Sequence, residues 1–365
     1  MARRIIGSTP KLDGFRMPAE FEPQSEIFMI WPEYTGNWRL GAKPAQAAYT
    51  NVATAISEFE KVTMLVSARQ FEHCRAMLPN HIRVVETTSD DAWCRDTGPT
   101  FLVNDHGERR AVDWKFNAWG GLVDGLLPSW DHDDLIARKI CEITDTDSYR
   151  TDNFVLEGGS IHTDGEGTVL TTKMCLLSQG RNPHMSQEQI ENMLCEYLGC
   201  EKTLWLTDGI DPDETNGHVD DVACFIRPAE ICCIDTDDVN HPFYEAAKKA
   251  QQELALMTDA KGRKLKIHKL CCTKKPVLME NAETIDNRFS AKPRTTGELC
   301  IASYCNFLIC NGAIIVPQYD DENDALALSQ ISDMFPDRTV VGVPTREIVY
   351  GGGNIHCITQ QVPKI

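Results

Sequence analysis

The sequence predicts an α/β fold closed into a ring of similar modules, and three observations lead there. Short β-branched runs alternate with stretches of helical periodicity along the whole chain. Glycine turns recur: Gly158-Gly159-Ser160-Ile161-His162 is echoed by Gly352-Gly353-Asn354-Ile355-His356 and, more loosely, by Asn216-Gly217-His218-Val219-Asp220. No low-complexity linker divides the 365 residues, so a single domain over 1-365 is expected.

Taken in order, Ile27-Phe28-Met29-Ile30-Trp31 is an apolar run closed by Pro32, which reads as a buried strand. Residues Ala45 to Phe59 place Ala48, Val52, Ala55, Ile56 and Phe59 at helical spacing, and Val62 to Val66 comes next as a strand. Helical periodicity returns at Asp133 to Ile143, Ser186 to Leu198, His241 to Met257 and Glu322 to Phe335, with Ser186 and Gln189 forming a capping-box pair. The strands expected between them are Ile82 to Glu86, Phe101 to Val103, Thr168 to Thr172, Thr203 to Leu206, Val222 to Ile226, Leu265 to Leu270, Phe307 to Ile309, Ala313 to Val316 and Thr339 to Val343. The most polar stretch, Thr273 to Gly297, is loop-like.

A composition of 42% hydrophobic and 25% charged residues provides for a sizeable core. The formal net charge of −18 argues against nucleic acid or an anionic membrane as partners and suits a small cationic substrate. No apolar run reaches signal-peptide or membrane-spanning length, which predicts a cytosolic protein. Fifteen cysteines without a secretory signal point to reduced thiols. Cys232-Cys233 and Cys271-Cys272 would face opposite sides of strands, and Cys300, Cys305 and Cys310 have no histidine nearby, so these read as packing residues rather than zinc ligands.

Cys357 stands apart from the other thiols. It comes after Gly351-Gly352-Gly353, where the backbone can adopt φ > 0 and no side chain shields the residues beyond the turn. It therefore reads as a nucleophile behind a turn, Gly352 included, that a ligand can approach. Three upstream segments offer partners. Asp96 lies just before the Gly98-Pro99 break, with Trp93 able to cover a planar cation whose N–H groups the acid would pair; an internal Arg95/Asp96 salt bridge is the alternative. An apolar strand delivers Glu157 to its own glycine turn, where bonding to nearby backbone N–H groups is the alternative. Gly209 to Asp221 is the densest polar stretch; in a strand, His218 and Asp220 would share a face and combine a proton-transfer group with a carboxylate. Metal ligation by His218, Asp220 and Asp221, or a merely solvated loop, stays open at this point.

A thiol, a histidine and two or three carboxylates suit attack on an electron-poor carbon flanked by nitrogens. A guanidinium meets that description, since two carboxylates can clamp its N–H edges and turn Cζ toward sulfur. The same acids disfavour a thiolate, so Cys357 needs protonated His218 or the bound cation in order to ionise.

Five ordered motifs carry a resemblance: Gly14-Phe-Arg-Met-Pro-Ala-Glu20, Trp93-Cys-Arg-Asp-Thr-Gly-Pro99, Phe154-Val-Leu-Glu-Gly-Gly-Ser160, Glu214-Thr-Asn-Gly-His-Val-Asp220 and Gly351-Gly-Gly-Asn-Ile-His-Cys357. Over essentially its whole length the chain resembles the agmatine deiminases of the guanidine-modifying (pentein) superfamily. The resemblance implies a fivefold pseudosymmetric α/β propeller of ββαβ-type modules around a central site, hydrolysis of agmatine to N-carbamoylputrescine and ammonia, no metal or organic cofactor, and a homo-oligomer. It implies Cys357 as the nucleophile forming an amidino-cysteine, His218 as acid and then base, and Asp96 and Asp220 as the guanidinium clamp. Glu157 would be an acid near the guanidinium or histidine, Trp93 would line the pocket, and Glu214 would meet the far ammonium. Cys94, inside the tryptophan motif, has no assigned role and is expected to be an oxidation liability beside the site. The neighbouring reading keeps this chemistry with free or peptidyl arginine as substrate.

Overall fold

The computed structural model describes residues 2–210, 214–288 and 292–365. Among them the strands form five separate sheets, and each sheet contains the same unit: an antiparallel strand pair, then a helix, then a strand parallel to the second. One unit runs Thr100–Val103, Arg109–Lys115, helix Ile136–Ile143, Asp147–Val155. The next is Ile161–Thr163, Thr168–Thr172, helix Gln187–Leu198, Lys202–Leu206. Ala223–Arg227, Glu230–Asp235, helix Tyr244–Leu256 and Lys266–Cys271 repeat it, as do Leu308–Cys310, Ala313–Gln318, helix Asp324–Met334 and Thr339–Pro344. The fifth unit joins the two ends of the chain: Thr359–Pro363 pairs antiparallel with Gln24–Ile30, which continues through helix Lys43–Ser57 to the parallel strand Lys61–Val66. Cys357, two residues before that closing strand, is thereby fixed against the N-terminal sheet.

The helices form where the periodicity places them. Lys43–Ser57 buries Ala45, Ala48, Tyr49, Val52, Ala53 and Ile56 against the sheet. Gln187–Leu198 opens on the expected capping box, the Gln189 N–H donating to Ser186 Oγ at 3.3 Å and the Ser186 N–H to Gln189 Oε1 at 2.8 Å, and ends at left-handed Gly199. Helical boundaries shift where polar residues cap rather than wind: the stretch from His241 starts its helix at Tyr244, because His241 Nδ1 accepts the Phe243 N–H. Helix Phe71–Met77 has only Cys74 fully buried, too little apolar pattern to announce it. Strand Arg109–Lys115 was hidden by its charges, and Val219–Asp221 is a single 3-10 turn rather than the strand expected to align His218 with Asp220.

All fifteen cysteines are free. Cys232 and Cys233 are both fully buried because both faces of their strand are covered, which accounts for adjacent apolar thiols. Among the described residues no helix is long and apolar enough to cross a membrane.

Candidate active site

The turn before Cys357 is built from glycine because its neighbours come too close for anything else. A Cβ on Gly351 would lie 2.2 Å from the Trp38 ring, and one on Gly353 would lie 2.6 Å from Trp93 and 3.1 Å from Cys357 Sγ. Gly352 adopts φ +109°, a conformation that side-chain-bearing residues rarely take. Asn306 then anchors the far end of the turn: its Oδ1 accepts the backbone N–H of His356 (3.0 Å) and Cys357 (3.3 Å), while its Nδ2 donates to Cys357 Sγ at 3.2 Å. Burial and the charges of Asp220, Asp221 and Asp96 push the Cys357 thiol well above its usual range.

Beside it, three of the expected residues converge on Gly159. A Cβ there would lie 2.6 Å from His218 Nδ1, 2.9 Å from Asp220 Oδ2 and 3.0 Å from Asp96 Oδ1. Asp96 Oδ1 accepts the Gly159 N–H and its Oδ2 accepts Trp119 Nε1–H, at 2.9 and 2.8 Å. Asp220 Oδ2 faces His356 Nδ1 at 2.8 Å and Cys357 Sγ at 3.8 Å, whereas Asp220 Oδ1 is buried without a hydrogen bond. Glu157 sits behind them, with Oε1 accepting Arg181 Nε–H at 2.7 Å and Oε2 standing 3.6 Å from His218 Nε2. Burial alone would discharge His218, but the Asp96 charge and the Cys175 and Glu157 contacts prevail and raise it well above an ordinary histidine. Burial lifts Asp96 above the usual carboxylate range, His218 notwithstanding.

The mouth of the site is a cavity of about 540 Å³, open side included, lined by Trp93, Asp96, Trp119, Glu214, Gly352 and Cys357 among others. Trp93 forms an aromatic wall, stacked on Trp38 at 5.3 Å with both indole N–H groups donating to Asp91. Glu214 reaches this mouth, yet both its oxygens are taken by Arg294, at 2.7 and 2.6 Å. Lys292 lines it as well.

The structure therefore brings Cys357, His218, Asp96, Asp220 and Glu157 together and sets Trp93, Gly352 and Glu214 above them. The Arg95/Asp96 pair does not form: Arg95 turns away, donating to the His356 carbonyl at 3.2 Å and approaching Glu20 at 4.0 Å. Cys94 is fully buried and its thiol is pushed up by that burial, so it is not the oxidation liability expected. Asp211, Pro212 and Asp213, within the polar stretch, lie outside the described residues. The ligand set His218, Asp220 and Asp221 does not share a centre, because Asp220 turns to His356 and Asp221 Oδ1 accepts from Asn306. Closer donor groups among the described residues are Glu157/Cys175/His218, Glu20/His162/His356 and Cys224/Cys232/Cys305, the last including two thiols, Cys232 and Cys305, that read from the sequence as packing residues alone. Sequence reasoning missed Asn306, Arg181, Trp119 and Arg294, which act through contacts 23 to 80 residues away in the chain. A polar residue in an otherwise apolar run, as in Tyr304-Cys305-Asn306-Phe307-Leu308, was the one available signal.

Residues 16–363 match the family model of the Porphyromonas-type peptidyl-arginine deiminases, and the chain belongs to that family of enzymes. Within it, the full-length relatives carry a narrower name. A putative agmatine deiminase of Enterococcus faecalis is 65% identical over 364 residues covering all of both chains, and an agmatine deiminase of Pseudomonas aeruginosa is 52% identical over 98% of this chain and 97% of its own. The solved structure described as the agmatine deiminase of Enterococcus faecalis catalyzing its reaction superposes with a TM-score of 0.98 over 100% of both chains, at 65% identity.

Proposed function

We propose that this enzyme hydrolyses agmatine to N-carbamoylputrescine and ammonia through a covalent amidino-cysteine. The observation that carries this reading is the convergence of Asp96, Asp220 and His218 on Gly159 beside Cys357, with Asp220 Oδ1 left unpartnered in a buried site. A guanidinium supplies the N–H groups that such an oxygen lacks, and pairing it with two carboxylates turns Cζ toward sulfur. In the first half-reaction Sγ bonds Cζ and a C–N bond breaks. The departing nitrogen takes the thiol hydrogen and the His218 proton and leaves as ammonium. Neutral His218 then removes one proton from the water that adds to the thiouronium carbon, and the other hydrogen returns to sulfur as the C–S bond breaks. The Trp93 wall covers the planar cation. The five repeated units are read as a fivefold pseudosymmetric propeller around this site, and the enzyme as a cytoplasmic homo-oligomer serving agmatine and polyamine catabolism, without metal or organic cofactor.

One observation favours a second substrate. Arg294 and Lys292 at the mouth are cations that a free arginine α-carboxylate could meet, and Arg294 already occupies Glu214, the residue assigned to the agmatine ammonium. A panel of agmatine, arginine and a blocked arginine decides: kcat/KM is expected to favour agmatine at least about tenfold, roughly 1.4 kcal/mol of discrimination. Arginine as the better substrate overturns the reading.

A further inference from the structure

Behind Asp220 lies a chain of buried charged groups that the reaction above does not use. His356 Nδ1 faces Asp220 Oδ2 at 2.8 Å and His356 Nε2 faces Glu20 Oε2, also at 2.8 Å. Glu20 Oε1 accepts the Ile309 N–H at 2.8 Å, and Glu20 Oε2 also has His162 Nε2 at 3.7 Å and Arg95 at 4.0 Å. All five side chains are at least nine-tenths buried. An imidazole between two ionised carboxylates, each at hydrogen-bond distance from one ring nitrogen, satisfies both only by carrying two protons. We propose that His356 and Glu20 are positioning residues for the guanidinium clamp: as an imidazolium braced by Glu20, His356 keeps Asp220 ionised and holds its Oδ2, so that Oδ1 is turned to substrate. This rests on Asp220 being part of the clamp, as proposed above.

The need for such a device arises from the crowding of acids. Asp96, Asp220 and Glu157 share one buried site, and Arg181 already serves Glu157. Without a cation of its own, Asp220 would take up a proton before substrate arrived. The groups facing His356 and Asp220 point the same way: burial opposes charge on His356, Arg95 opposes it too, and Glu20 with Asp220 outweighs both. Asp220 stays below the usual carboxylate range despite its burial, chiefly through the His356 bond and charge, with His218 and Arg95 adding to it. His162 differs, because its Nδ1 accepts the Phe225 N–H at 3.2 Å and so leaves only Nε2 to carry a proton toward Glu20. Glu20 and His356 also line a cleft that shares no residue with the active-site mouth, so the brace is set from the far side of the clamp.

The test compares Glu20→Gln, Glu20→Asp and His356→Gln with the unmodified enzyme. In Glu20→Gln and His356→Gln the acid limb of the kcat/KM profile is expected to move up by about one pH unit, and KM to rise about tenfold with kcat changed less than about threefold; Glu20→Asp should return most of this. Alkylation of Cys357 by iodoacetamide needs no turnover and should move in the same direction. Asp220 is still ionised at the alkaline pH where the thiol titrates, so loss of the imidazolium leaves its charge uncompensated and the alkylation midpoint rises. An even loss of kcat/KM at every pH with an unshifted alkylation profile marks a structural role and overturns the proposal. Lack of agmatine turnover by the unmodified enzyme overturns the functional reading instead, while alkylation still tests the brace. Should both neutral variants fail to fold, the ¹⁵N-histidine spectrum of the unmodified protein decides: both His356 ring nitrogens protonated at about pH 7 supports the brace, a neutral tautomer there overturns it.

Discussion

The two echoing turns, Gly158 to His162 and Gly352 to His356, share a backbone plan and differ in the groups they carry. Each has a glycine pressed against the reactive groups: Gly159 against His218, Asp220 and Asp96, and Gly353 against Trp93 and Cys357. Each ends in a histidine facing Glu20, the two rings lying 6.1 Å apart and inclined by 33°. The first turn, however, is preceded by Glu157 and the second is succeeded by Cys357. The repeat thus supplies close approach, and the flanking residues supply the chemistry. Even the histidines part ways, since His162 Nδ1 accepts a backbone N–H whereas His356 Nδ1 meets Asp220.

The largest expected effect tests the second turn at its chemical end. Cys357→Ser should fold, because serine fits the volume and can still accept from Asn306 Nδ2, and should lose at least about 10⁴-fold in kcat, since a hydroxyl in this acidic site has no thiolate-like nucleophile to offer. Agmatine should leave a mass adduct on Cys357 in the unmodified enzyme and none in the variant. Substantial turnover by Cys357→Ser would remove the covalent step and leave the turn a structural feature.

A smaller effect compares the turns directly. Gly159→Ala places a methyl 2.6 to 3.0 Å from His218, Asp220 and Asp96, whose positions are fixed by burial and by one another, so kcat/KM should fall by about 10²-fold. Gly353→Ala meets the Trp93 ring at 2.6 Å and the thiol at 3.1 Å. It should lower the rate of Cys357 alkylation as well as turnover, while Gly159→Ala should leave alkylation nearly unchanged. Steady-state kinetics and alkylation rates measured together separate the two, and equal effects on both readouts would mean the turns do not divide their work.

How far the sequence could anticipate this division depends on the kind of contact. Glycine before a thiol, the apolar period Ala48 to Ile56 and the Ser186/Gln189 box are local patterns, and each appears in the structure where the residues place it, although that helix ends at Ser57, short of Phe59. Recurrence was legible in three echoing turns, but neither the count of five units nor the strand pairing was, because Thr359–Pro363 completes its unit with Gln24–Ile30 from the other end of the chain. At the site, residue types named Cys357, His218, Asp96 and Asp220, yet the geometry that joins them is not the strand alternation expected: a 3-10 turn at Val219–Asp221 and the absent Cβ of Gly159 let His218 and Asp220 both close on Gly159. Arg294 on Glu214 was invisible because nothing in a polar loop marks which of its cations folds back. The same holds for Glu20, which closes a recognisable motif but is given its place only by His356 and Ile309.

The smallest effect lies in the stability of the two terminal histidines against pH, and there they should have opposite signs. Burial holds His162 below an ordinary histidine, with Glu20 only partly offsetting it, so the unfolded chain binds a proton that the folded one refuses. Its contribution is complete above the unfolded value of about 6.5 and is lost as pH falls below that. His356 is raised, because Glu20 and Asp220 outweigh burial and Arg95. Its contribution is complete below about 6.5 and is lost as pH rises through its folded value. His162→Gln should therefore flatten the acid side of the unfolding free energy, by at most about 1.4 kcal/mol per pH unit, and His356→Gln should flatten the neutral-to-alkaline side by a similar slope. Urea unfolding at a series of pH values reads both. Because Glu20 is held well below its usual range, its own acid loss begins only below the unfolded carboxylate value and stays clear of the His162 window near 6.5. Parallel changes in the two variants would show that the turns hold their histidines in equivalent states, leaving the divergence to Glu157 and Cys357 alone.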